Sequence, residues 1–243
     1  MKRSRIVYFL FLFSGITALI YEVVWTRMLT LAFGHTVFSV SIVLASFMAG
    51  VGVGGYFSGH TINNIGSKKT QSDSSSLSKE FSEGLETSSS LLIYGWIEIA
   101  LFLLCLIVSL ILFKFSVIYS WFSFFIPEST VVQNIFKSFL AFILMVVPAS
   151  LMGATLPIIS KYYITDNIRL DSRLGLLYGI NTIGAALGCL LTGFFLIANF
   201  GVLQTVLVAT LINLFVGVCA IRIYQEGEET SHSFRLPHFT IPK

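Results

Sequence analysis

Glu22, Glu98 and Lys137 each stand inside an apolar run that offers no water. A charge at the centre of a membrane helix costs about 2.5–3.5 kcal/mol on insertion scales, so such a residue is either paired internally or put to use. Glu22 shares its run with Gly15, Ala18, Trp25 and Thr26, which form one small-and-polar face at helical spacing. Arg27 lies nearer the end of that run, where its long stem can snorkel to headgroups. Carboxylates in this setting suit a positive ligand. Glu22 and Glu98 could each pair with an ammonium or carry a proton, and Trp25 or Tyr178 could supply cation–π contact. The alternative is a buried Glu satisfied by a neighbouring Thr, Asn or Arg. The candidate solute or proton site is therefore Glu22, Trp25, Arg27, Glu98, Tyr178 and Asn181.

The elements that position these residues follow from composition. Of 243 residues, 55% are hydrophobic and 11% charged, against about 25% charged in a soluble domain. Mean hydropathy is +0.86. An ordinary soluble enzyme and a disordered regulator are excluded, and a net charge of +3 is too small for a nucleic-acid binder. Cys105, Cys189 and Cys219 lie in apolar runs and the four His are scattered, so neither a disulfide framework nor a metal site is expected, and no cofactor. A bilayer-spanning helix needs about 20 apolar residues. Six segments qualify, approximately 6–31, 36–59, 91–113, 132–158, 175–198 and 201–222, which predicts an all-α polytopic membrane protein.

Met1–Arg5 looks like the start of a signal peptide, but no small-residue cleavage site follows, and we read an uncleaved first span. With the N-terminus cytoplasmic, twelve of the 15 Lys and Arg fall on the inner side. This charge bias predicts both termini inside and a place in the cell (inner) membrane. Glu22 then falls in the outer half of the bilayer and Glu98 and Asn181 in the inner half, so direct contact between them is not expected. Residues 67–90 are Ser-dominated and predict a flexible cytoplasmic loop. Phe115–Ile126 is apolar and aromatic but too short to span, which suits an interfacial or re-entrant piece. Residues 223–243 form a polar, loosely ordered cytoplasmic tail.

Small residues mark the faces where membrane helices pack. Gly50 and Gly54 form one such pair, Gly55 and Gly59 another, and Asn181, Gly184, Gly188 and Thr192 line one helix face. These stripes either pack helices or line a substrate path. Pro148 and Pro157 should kink or break the fourth span, as a mere bend or as a pathway element.

Gly59-His-Thr-Ile-Asn63-Asn64-Ile-Gly66-Ser-Lys68-Lys69 resembles the loop after helix two of the major facilitator superfamily, with Asn63 for the usual Asp and Asn64 for the usual Arg. Six spans would correspond to half of that fold. Four further stretches occur in order on different spans: Leu19–Arg27, Phe47–Gly54, Leu151–Pro157 and Leu177–Gly188. Together they resemble the N-terminal membrane domain of membrane-bound spermidine synthase-like proteins, over about 9–222. The family's synthase domain would follow the last span, and the chain ends about 20 residues beyond Arg222, too few for a strand–Gly-loop–helix unit. The resemblance thus implies a module without catalysis of its own. It would handle or sense a small polyamine-like cation, or anchor a separately encoded synthase. The alternatives are a structural assembly subunit, or half of a facilitator-type transporter acting as a homo-dimer. The partners expected on this reading are the lipid bilayer and either a separately encoded synthase-like protein or a second copy of the chain, and no nucleic-acid partner is expected.

Overall fold

The computed structural model describes residues 2–34, 36–70, 76–123, 129–162 and 170–233, and every regular element among them is helical. In chain order they are α1 (Lys2–Phe33), α2 (Thr36–Thr70), α3 (Ser76–Phe113), α4 (Phe115–Ser123), α5 (Thr130–Lys161), α6 (Leu170–Leu191) and α7 (Ile197–Ser233), with a π-helical turn, Thr192–Leu196, joining the last two. Five helical stretches are long and apolar enough to cross a membrane: Arg5–Phe33, Thr36–Thr61, Ser89–Phe113, Val131–Lys161 and Arg173–Glu226. This is the architecture of a multi-pass membrane protein.

The last stretch has 54 residues. Straight, it would extend about 80 Å, far beyond a hydrocarbon core of about 30 Å. It doubles back at Gly201, where φ 80° and ψ 177° interrupt the helix. The contacts on α1 record the reversal. Gly184 lies against Leu12 and Gly188 against Ile16, so α6 runs parallel to α1. Asn213 meets Tyr21, and Val216 and Ala220 pack with Val7 and Leu10, so α7 runs the other way. Among the described residues, with the last stretch folded back on itself, six passes therefore cross the bundle.

Three pairs of helices approach backbone to backbone. A Cβ at Gly54 would fall on the backbone of Ser150, and one at Gly153 on that of Val51, which lets α2 and α5 lie in contact. Gly184 and Gly188 do the same for α6 against α1, and Gly95 and Gly217 for α3 against α7. Close approach of this kind is how membrane helices gain dispersion energy when lipid supplies no hydrophobic drive. The glycines expected to pack helices, Gly50, Gly54, Gly184 and Gly188, are all buried at such contacts.

Three expectations need correction. The Ser-rich segment 67–90 is helical over 67–70 and 76–90, while 71–75 lies outside the described residues. Its Leu, Lys and Glu are good helix formers, and they extend helices already nucleated by the apolar spans. The tail is likewise helical to Ser233, beyond which residues 234–243 lie outside the description. Pro148 and Pro157 do not break the fourth span, because α5 runs through both. Each proline frees a single carbonyl and leaves the remaining ladder to hold the helix. α4, by contrast, is the expected short piece. Its Phe115 stacks on Phe33 at 6.2 Å and its Tyr119 ring lies 4.4 Å beneath the Lys137 ammonium.

Candidate functional site

Seven buried α1 residues repeat in heptads. Val7, Ser14, Tyr21 and Met28 form one row, and Leu10, Thr17 and Val24 the other. α3 repeats the pattern, with Leu91, Glu98, Cys105 and Leu112 in one row and Tyr94, Leu101 and Val108 in the other. The two helices run parallel in fixed register, as three hydrogen bonds record. Ser14 Oγ donates to Glu98 Oε1 at 2.5 Å, Trp25 Nε1 to Ser109 Oγ at 2.8 Å, and Tyr94 Oη to the Leu10 carbonyl at 3.4 Å, each spanning 84 residues. A repeat of seven keeps one seam facing its partner along the whole helix, as in a coiled coil.

Glu98 is the chemical centre of this seam. It is 0% exposed, and its Oε2 has no hydrogen-bond partner. Tyr94 stands one turn earlier, its hydroxyl in bonding reach of the carboxyl group and of the Leu10 carbonyl. Two turns further along α1, the Tyr21 hydroxyl bonds the Cys105 thiol and accepts from Asn213 Nδ2 at 3.4 Å. Asn213 Oδ1 is also buried and unpartnered. Three helices thus converge on a polar column holding two unused acceptor oxygens. Desolvating a carboxylate with no counter-charge costs several kcal/mol. A proton or a bound cation removes that cost.

The residues expected to form one site are dispersed. Trp25 is fully buried, its indole N–H bound to Ser109 and its ring against Tyr21 and Phe47 at 5.5 and 5.7 Å. It is core, turned away from any solute. Glu22 is half-buried, and no hydrogen bond or ion pair joins its carboxylate to Arg27, which is exposed. Tyr178 is 62% exposed on the outer face of α6. Asn181 is half-buried against Gly15 and so lies level with Glu98, whose partner is Ser14, but on the opposite side of α1. Glu22 lies about 12 Å further along the helix. Ser14, Tyr94, Tyr21, Cys105 and Asn213 were not anticipated. The signal for them was the matched heptads of the first and third spans, and for Asn213 a lone amide in an apolar run.

Among the described residues no three His, Cys, Asp or Glu side chains gather as a metal site. Together, the apolar crossing helices and the buried polar seam define an all-helical, multi-pass membrane architecture. Comparison with protein-family models, curated proteins and solved structures finds no match for the chain.

Proposed function

We propose that this chain is a non-catalytic membrane module of the spermidine synthase-like kind, which handles or senses a small polyamine-like cation and meets its charge with Glu98. The observation that carries this reading is the unpartnered Oε2 of a fully buried carboxyl group. The four ordered sequence motifs are what support the family reading, and six passes would suit half of a facilitator-type fold. The pile-up of Arg5, Lys161, Arg173 and Arg222 beside one layer of the core supports cytoplasmic termini in a cell membrane. Binding of spermidine to the detergent-purified full chain tests the proposal. Wild type should bind, Glu98→Gln should lose at least about ten-fold in affinity, the worth of about 1.4 kcal/mol, and Glu22→Gln should keep most of it. Equal affinity in wild type and Glu98→Gln refutes Glu98 as the cation's partner.

A second reading has its own observation. Ser14 and Glu98 occupy matching heptad positions, and one polar residue at such a position fixes register in coiled coils. On this reading the pair aligns α1 with α3 in a structural module that anchors a separate synthase, and Glu98 holds a proton. Absence of spermidine binding together with a destabilised Glu98→Gln variant is the outcome it requires.

A further inference from the structure

α6 lies on α1 along a continuous contact: Gly184 and Gly188 sit against the backbone of Leu12 and Ile16, and Leu177, two turns earlier on the same face, is buried with Val7 and Leu10. Beside this contact, toward the end of the bundle where α1 begins, a groove of about 310 Å³ is lined by Arg5, Tyr8, Phe9, Leu12 and Ile180. Its four α1 residues fall on one helix face. Leu12 lies about 10 Å along the axis from Arg5, so the groove runs from the end of the span into the apolar region. The lining is hydrocarbon and aromatic except at its mouth, where exposed Arg5 supplies a guanidinium and Tyr8 an amphipathic ring.

We propose that this groove is a binding site for an anionic membrane phospholipid, with one acyl chain lying along Phe9, Leu12 and Ile180 and the headgroup phosphate on Arg5. Charge selects the occupant. The depth is apolar and suits an acyl chain, while Arg5, the one cation among the described lining residues, stands at the level where a phosphodiester sits. Arginine is suited to that phosphate because its planar fork of N–H donors matches two oxygens. A free phosphate would use the mouth and leave the apolar length empty. The site is independent of the cation reading, since Glu98 faces α1 from α3 and takes no part in the groove.

Native mass spectrometry of the detergent-purified full chain tests this, titrated with phosphatidylglycerol and phosphatidylcholine of identical acyl chains. Wild type should retain one phosphatidylglycerol in preference to phosphatidylcholine, and inorganic phosphate should not displace it. Arg5→Gln should lower phosphatidylglycerol affinity about five-fold, the worth of one basic residue near an anionic surface, and lower phosphatidylcholine affinity less, so that the preference between the two lipids shrinks. Ile180→Trp, which fills the groove from α6, should weaken both lipids, with a melting curve matching wild type to show the fold intact. Equal retention of the two lipids by wild type overturns the proposal. So does an undiminished preference in Arg5→Gln, displacement by phosphate, or a well-folded Ile180→Trp that binds as wild type does.

Discussion

Ser14→Ala removes one oxygen from the seam and measures what that oxygen does for Glu98. Ser14 is 9% exposed and its hydroxyl makes the 2.5 Å bond to Oε1, while Oε2 has no partner. The substitution therefore removes the Ser14 donor, leaves Tyr94 as the remaining hydroxyl beside the carboxyl group, and keeps Oε2 buried and unpartnered. An acceptor deprived of its donor in this way costs about 1–3 kcal/mol, and more when it is charged. For a chain of this length, each kcal/mol lowers Tm by about 2–4 °C, so the expected loss is about 2–12 °C. The same change in a Glu98→Gln background breaks a bond between neutral groups, worth about 0.5–1.5 kcal/mol. A double-mutant cycle should therefore return a coupling of about 0.5–1.5 kcal/mol, against the roughly 0.3–0.5 kcal/mol scatter of independent sites. Tryptophan fluorescence on heating in detergent provides the measurement, with Trp25 as a buried reporter. If Ser14→Ala melts with wild type, or costs the same in both backgrounds, the bond contributes nothing specific and the seam is not organised around Glu98.

The glycine contacts make a paired prediction on α2. Gly54→Leu drives a Cβ into the Ser150 backbone and should cost about 1–3 kcal/mol or more through separation of α2 from α5. Gly52→Leu, whose Cβ meets nothing within 4 Å, should stay within about 0.5 kcal/mol of wild type in the same unfolding assay. Gly201→Ala places a side chain at φ 80°, ψ 177°, conformational space used essentially by glycine alone, and should cost about 1–3 kcal/mol. An unchanged Tm would mean that the turn relaxes to another geometry. Reporter fusions after Ser74, near Pro127 and after Tyr224 should read inside, outside and inside. An outside signal at Ser74 would reverse the proposed orientation.

The passes were legible in the sequence because length and hydropathy alone mark them. The reversal between the last two was legible as well, since a mostly apolar stretch of 54 residues exceeds any bilayer. Where each helix ends was not. Leu77, Glu80 and Leu85 continue a helix that composition had assigned to a loop, because helix propagation needs no apolar face once a span has nucleated it. The unbroken course of α5 through Pro148 and Pro157 is of the same kind, with flanking hydrogen bonds outvoting a local rule. Which faces pack was partly legible. Gly50, Gly54, Gly184 and Gly188 announce backbone contact through their size, whereas the heptads of α1 and α3 were hidden. In water an apolar stripe stands out against polar neighbours. Here Phe9, Phe13, Leu103 and Ile107 face outward and are as apolar as the residues inside.

That concealment explains why Glu22 drew attention that Glu98 earned. Glu22 sat among small and polar neighbours and looked like a lining, while Glu98 sat among Ile and Leu and looked like an isolated charge. In the bundle the order inverts. Glu98 meets Ser14 from another helix, and Glu22 is half-buried at a margin. The packing also sets a condition on any solute. Glu98 is 0% exposed, and α3 is clamped to α7 by the contact of Gly95 with Gly217, so a cation reaches Oε2 only if a neighbouring helix moves. α7 is the helix with the means to do so. A π turn precedes it and the Gly201 break lies near its start, and Asn213 leaves its own Oδ1 unsatisfied toward the same column. π turns and glycine breaks are where membrane helices bend at modest cost. Solute handling and register-keeping therefore differ in a physical requirement: the first needs α7 to part from α3 at Gly95, and the second needs it to stay.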